Sequence, residues 1–150
     1  MRLLPLVMTA AMLAVTACRY SPPEPRVEVK EAWVQLPIIP GRPGAAYFTL
    51  VSNNDPTRLI SVTSPRVEGI ELHETVMQGG VAGMRPSDAP VFPNDLKLVF
   101  APGGRHAMLF GIDPAVKPGD KVPLIFNLEP MGPVTVEAEA RAFGEGHAGH

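Results

Sequence analysis

Cysteine is almost absent: Cys18 stands alone in a chain of 150 residues, so no disulfide can close within it. A blue-copper electron-transfer centre, which requires a cysteine thiolate, is excluded once Cys18 is accounted for by the leader described below. Basic charge is also scarce. Thirteen Lys and Arg are set against fifteen Asp and Glu, and without a basic face the chain has no means of neutralising a phosphate backbone, which argues against nucleic acid as a partner. No long segment repeats its apolar residues with a period of 3.6, so extended amphipathic helices are not expected. Gly-x-Ser-x-Gly, His-Glu-x-x-His and phosphate-loop motifs are missing, which removes the commonest hydrolase, zinc-protease and nucleotide signatures. A binding protein rather than an enzyme is the expectation.

What the chain has at its start is a targeting segment. Arg2 supplies a positive end, Leu3 to Val15 is a mostly apolar run, and Val15-Thr16-Ala17-Cys18 follows. The run is too short for a resident membrane helix. Small residues before a cysteine resemble the lipobox of bacterial lipoproteins, which implies a signal peptide over residues 1–17 and lipid attachment at Cys18. An ordinary secretory signal with an incidental cysteine is the alternative. Either leads to the periplasm, and in the first case several acyl chains would tether the protein to the cell membrane or outer membrane. The Pro-rich stretch to Arg26 then reads as a spacer, completing a segment over 18–26.

From Val27 onward, short segments rich in Val, Ile, Phe, Leu and Thr alternate with Pro- and Gly-containing turns. Strands are predicted near Val27 to Leu36, Ala45 to Ser52, Leu59 to Thr63, Glu68 to Met77, Leu96 to Ala101, His106 to Ile112, Val122 to Leu128 and Val134 to Phe143. This spacing predicts an all-β sandwich or barrel, a single domain over 27–143. Residues 144–150 read as a flexible tail in which His147 and His150 are auxiliary donors, with Cu(II) as a candidate ion, or simply part of a frayed terminus.

Past the leader there are four methionines, Met77, Met84, Met108 and Met131, and four histidines. Thioether sulfur is neutral and polarisable, so a site built from Met and His favours a soft monovalent ion, Cu(I), over hard cations. His106 and Met108, at i and i+2 of a strand, share one face about 6.5 to 7 Å apart. In the preceding strand the apolar parity of Ile70 and Leu72 puts Glu71, His73 and Thr75 on the other face. Taken singly, each Met is more simply core filler and His73 a surface histidine. Met77 is a further soft donor nearby, or an apolar neighbour.

Ten residues separate His73 from Met84, twenty-one separate Met84 from His106, and one separates His106 from Met108. This spacing resembles the signature of the periplasmic copper chaperone family called PCuAC. Glu71-Leu72-His73-Glu74, Gly79-Gly80-Val81, Met84-Arg85-Pro86 and Pro102-Gly103-Gly104 are similar to its surrounding residues, as are Ala32-Trp33-Val34 and Ala45-Ala46-Tyr47-Phe48 with Asn53. The resemblance covers roughly Val27 to Arg141. It implies a cupredoxin-like Greek-key β-sandwich and Cu(I) ligands His73, Met84, His106 and Met108. It further implies delivery to the copper centres of respiratory cytochrome oxidase beside a Sco-type protein. Trp33 and Tyr47 read as core or sheet residues. The competing expectations are an anchored interaction lipoprotein without a metal role and a protein of copper storage or resistance.

Overall fold

The computed structural model describes residues 24, 26–53, 56–93 and 95–145. The expected signal peptide, Cys18, most of the spacer, His147 and His150 lie outside the described residues. Nine strands form within them: β1 (Val27–Gln35), β2 (Gly44–Ser52), β3 (Arg58–Thr63), β4 (Val67–Gln78), β5 (Val81–Pro86), β6 (Lys97–Phe100), β7 (Arg105–Ile112), β8 (Lys121–Glu129) and β9 (Gly132–Arg141).

The alternation in β8 shows how sequence becomes sheet. Val122, Leu124, Phe126 and Leu128 are all buried, and the residues between them are not. A period of two leaves one face of each strand for the core and one for solvent or a site. The strands run in the order β3-β8-β9-β1-β2-β7-β4-β5, with β6 also on β2. All neighbours are antiparallel except β1 and β9. Strand β2 is the hub. It pairs β1 along its length, and on its other edge it meets β7 through Gly44 to Ala46 and β6 through Phe48 to Val51.

Phe48 sits at the centre of the core, stacked on Phe100 at 4.4 Å between ring centroids and edge-on to Phe126 at 4.7 Å. Leu50, Leu59, Leu98, Leu109 and Val34 complete a contiguous apolar interior. Each such side chain contributes about 1.5 to 3 kcal/mol by leaving water. This is the all-β single-domain sandwich expected from the turn spacing, with the cupredoxin-like build that the family resemblance implies.

Two local departures matter for the outer face. Strand β5 was not expected, because every residue of Val81–Pro86 is exposed and a strand with no buried face carries no apolar alternation. It forms by pairing with β4 across the Gly79-Gly80 turn, where φ values of 57° and 81° suit the mirror-image hairpin turn that glycine allows. The second departure is a bulge in β1 between Lys30 and Trp33, with Glu31 at φ 53°. The extra residue reverses the parity of the strand. Val27 and Val29 point inward above it, whereas below it Val34 is the inward residue and Trp33 lies on the outer face opposite Tyr47. Trp33 and Tyr47 are therefore sheet residues, packed on each other at 4.6 Å with Arg141 over the indole at 5.1 Å, rather than members of the core.

Candidate metal centre

The inward parity of β7 is taken by Ala107 and Leu109, both fully buried. His106 and Met108 must then point to the opposite face of the sheet. The ladder between β4 and β7 sets His73 opposite His106 and Glu71 opposite Met108. The ladder between β4 and β5 sets Thr75 opposite Met84. Cross-strand partners share a face, so three adjacent strands bring His73, Met84, His106 and Met108 to one side of the sheet. The i, i+2 pairing of His106 with Met108 and the parity expected for Glu71, His73 and Thr75 both hold.

The imidazoles of His73 and His106 lie 6.0 Å apart between centroids, with planes inclined by 33°. Each has one nitrogen engaged by protein. His106 Nδ1 lies 3.1 Å from the carbonyl oxygen of Gly104, to which it donates, leaving Nε2 with a lone pair. His73 Nε2 lies 3.0 Å from Glu71 Oε2, and its Nδ1 is buried with no hydrogen-bond partner among the described residues. A buried polar atom without a partner is costly. A metal ion is the kind of partner that would satisfy it, and a histidine whose other nitrogen donates to a carboxylate or a carbonyl is the usual metal-ligating arrangement. The chemistry of the donor set therefore suits a soft cation.

A cavity of about 300 Å³ opens on this face, lined by Met84, His106 and Met108 together with Thr75, Tyr47 and Phe143. His73 is not in its lining; it approaches the others through His106. His106 itself is buried, at 9% exposure, and is reached through the cavity. Met84 is 63% exposed and forms the outer lip. A larger groove of about 600 Å³ among Pro56, Arg58, Val91, Glu129 and Pro130 contains neither imidazole nor thioether, so volume alone does not mark the site. Among the described residues no three His, Cys, Asp or Glu side chains gather as a possible metal group. A site here with more than two protein donors would draw on the methionines.

On the reverse face of the same three strands, Glu74 of β4 receives Arg85 of β5 and Arg105 of β7. Exposed pairs of this kind contribute about 0 to 1 kcal/mol each, and their effect here is to tie β5 and β7 to β4 behind the donors. Tyr47, half-buried in the cavity wall, has its phenol pKa pushed up by burial and so adds no negative charge. Met77 shares the face of His73 and Thr75 but sits farther along β4, opposite Ala82, and is not gathered with the four.

Three participants were not assigned a role from sequence. Glu71 was legible as a same-face neighbour two residues from His73, but its hydrogen bond was not. Tyr47 enters the cavity wall through sheet register. Phe143, just after β9, reaches the cavity by tertiary packing and had no sequence signal at all.

The LpqE-like family, described as putative lipoproteins, matches residues 27–140. A putative lipoprotein of Leifsonia xyli subsp. xyli, Lxx21020, is 34% identical over 115 residues, covering 73% of this chain and 68% of that protein. The uncharacterized protein RP573 of Rickettsia prowazekii is 31% identical over 110 residues, which is 70% of this chain but only 61% of that protein's length. Among solved structures, the copper-bound PCuAC domain from PmoF2 superposes with a TM-score of 0.64 at 25% identity, covering 77% of this chain and 92% of that domain. The Cu(I) form of DR1885 from Deinococcus radiodurans gives a TM-score of 0.60 at 27% identity over 79% of this chain and 81% of that one. With the family match spanning the whole sandwich and the strand framework shared with these domains, the chain belongs to the LpqE-like family of PCuAC-type domains.

Proposed function

We propose that this protein is a Cu(I) carrier of the cell envelope, binding one ion through His73 Nδ1, His106 Nε2 and the thioethers of Met84 and Met108. The observation that carries this reading is the cross-strand histidine pair, in which each ring has one nitrogen held by Glu71 or Gly104 and the other left for a ligand. Support also comes from the copper-bound state of the PmoF2 domain and the Cu(I) state of DR1885.

Copper is cargo here, and the chain's part is to hold it without trapping it. Four neutral donors leave the ion's positive charge uncompensated, which favours Cu(I) and favours its departure to an anionic thiolate. Met84, exposed at the lip, is the donor that lies within reach of an incoming acceptor. His106, buried at the floor, is out of an acceptor's direct reach. No proton or electron need move within the protein, so this is transfer by ligand exchange and not enzymatic turnover.

By resemblance, the acceptor is the copper centre of a respiratory cytochrome oxidase, reached beside a Sco-type protein. The carrier is held at the membrane through a lipidated Cys18. Four and seven residues after Phe143, which lines the cavity, the sequence carries His147 and His150, taken here as auxiliary donors for Cu(II).

The test is an anaerobic Cu(I) titration of the full-length protein in detergent against a competing chelator, with His147→Ala/His150→Ala removing the tail. One tight equivalent is expected, followed by transfer to the isolated copper-binding domain of an oxidase subunit. Absence of binding would sink the carrier reading. Tight binding with no transfer to any thiolate acceptor would favour storage or resistance.

A further inference from the structure

The β4–β7 ladder ends at Glu74 and Arg105, and the last tie between the two strands is the Thr75 amide donating to the Gly104 carbonyl at 3.2 Å. Beyond it β4 and β5 run on as a two-stranded ribbon to the Gly79-Gly80 turn. The ribbon has no core beneath it, and each residue of β5 is exposed. Met77 is on this overhang, 66% exposed, so the usual role of methionine as core filler does not apply to it. Its partner across the ladder is Ala82, which makes Met84 its diagonal neighbour on the same face. Diagonal neighbours lie about 7 to 8 Å apart, within reach of long flexible side chains. Val81, the other exposed apolar side chain nearby, pairs with Gln78 and so faces the opposite way.

The same register keeps Met77 out of the inner set. Four residue steps along the strand take the chain from His73 to Met77, about 13 Å of backbone at the usual rise. Met84, opposite Thr75, lies midway between His73 and Met77 and is the one donor able to serve both.

We propose that Met77 and Met84 form an outer two-thioether station through which Cu(I) passes to and from the inner donors. This rests on the carrier reading. In the exchange, a Met77 sulfur–copper bond forms as a bond to an inner donor breaks. Both ligands are neutral, so no proton is released and copper stays monovalent. Met84 remains attached throughout as the pivot, and an acceptor thiolate meets the ion on the bare ribbon, clear of the cavity wall.

Stopped-flow transfer tests this. Full-length protein in detergent, loaded with one Cu(I), is mixed anaerobically with bathocuproine disulfonate, and the reverse transfer is followed from the chelator complex. Met77→Leu keeps the apolar surface while deleting sulfur, at a site too exposed for the change to unfold the sandwich. Both rates are expected to fall about fivefold or more, as for a lost stabilised intermediate, with equilibrium affinity within about twofold because the inner set is untouched. Met84→Leu should instead weaken affinity itself. Unchanged rates in Met77→Leu would overturn the station. So would a loss of affinity matching that of Met84→Leu, which would make Met77 a static ligand. If the parent binds no Cu(I), the carrier reading and the station fall together, whereas a parent that binds and transfers normally beside an unaffected Met77→Leu removes only the station.

Discussion

His73 and His106 face each other across the β4–β7 ladder with ring centroids 6.0 Å apart, and the protein engages a different nitrogen on each ring. Held through Nε2 by Glu71 and through Nδ1 by Gly104, the two rings are left with unlike nitrogens, Nδ1 on His73 and Nε2 on His106. That asymmetry follows from register: Glu71 is two residues before His73 on the same strand face, whereas Gly104 is the loop residue from which β7 begins.

The thioethers should matter for metal and little for folding. Met84→Leu/Met108→Leu is volume-conserving, so its stability cost should stay under about 1.5 kcal/mol per site. Chelator competition should show Cu(I) affinity reduced by at least about tenfold, the equivalent of 1.4 kcal/mol. A thermal melt separates the two effects, and retention of full affinity would remove Met84 and Met108 from the site.

Glu71 should act through His73. Glu71→Ala is expected to lower Cu(I) affinity about 10- to 100-fold, the usual range for losing a partner that orients a ligand. Glu71→Gln keeps an oxygen able to accept from Nε2 and should recover part of the loss. Equal defects in both variants, read by the same titration, would point to the carboxylate's charge instead of its positioning role.

The hairpin turn should control the site from a distance. Gly79 and Gly80 both have positive φ, and a β-branched residue there is strained by about 1 to 2 kcal/mol. Gly80→Val should loosen β5, which has no buried face to hold it, and displace Met84. Cu(I) affinity should drop while the global melting temperature barely moves, with hydrogen exchange showing added opening confined to residues 75–86.

Acid sensitivity should trace in part to Asp113. The Ala115 amide donates to its Oδ1 at 2.8 Å and Arg66 Nε to its Oδ2 at 2.8 Å, and the backbone hydrogen bond, ahead of the arginine's charge, holds its pKa below the ordinary carboxylate value. A depressed carboxylate stabilises the fold above its unfolded value, about 3.9, and that contribution disappears as pH falls through the lower folded value. Asp113→Asn should therefore melt lower than the parent near neutral pH, and the gap should close toward pH 2. A gap that persists undiminished in acid would assign the effect to geometry alone.

Eight strands were legible because each has a face in the core, and burial writes itself into the sequence as alternation. Val122 to Leu128 is the plainest case. Strand β5 was illegible for the converse reason: Val81–Pro86 buries nothing, and only its pairing with β4 makes it a strand. Whether Trp33 belonged to the core or to the outer sheet face was left open in the sequence, because a bulge at Glu31 shifts the parity of β1 by one residue and has no signature in apolar spacing.

By itself the sequence determined the donor chemistry. One cysteine, a Met and His set at fixed spacing, and a strand parity that sends His106 and Met108 away from Ala107 and Leu109 are all properties of order along the chain. Only the tertiary structure decided which donors meet. Register between β4, β5 and β7 sets His73 against His106 and puts Met84 beside them, and a shift of one residue would turn either strand's donors to the other face. Register depends on what the neighbouring strands bury, and that is a property of the whole sandwich, not of any one segment.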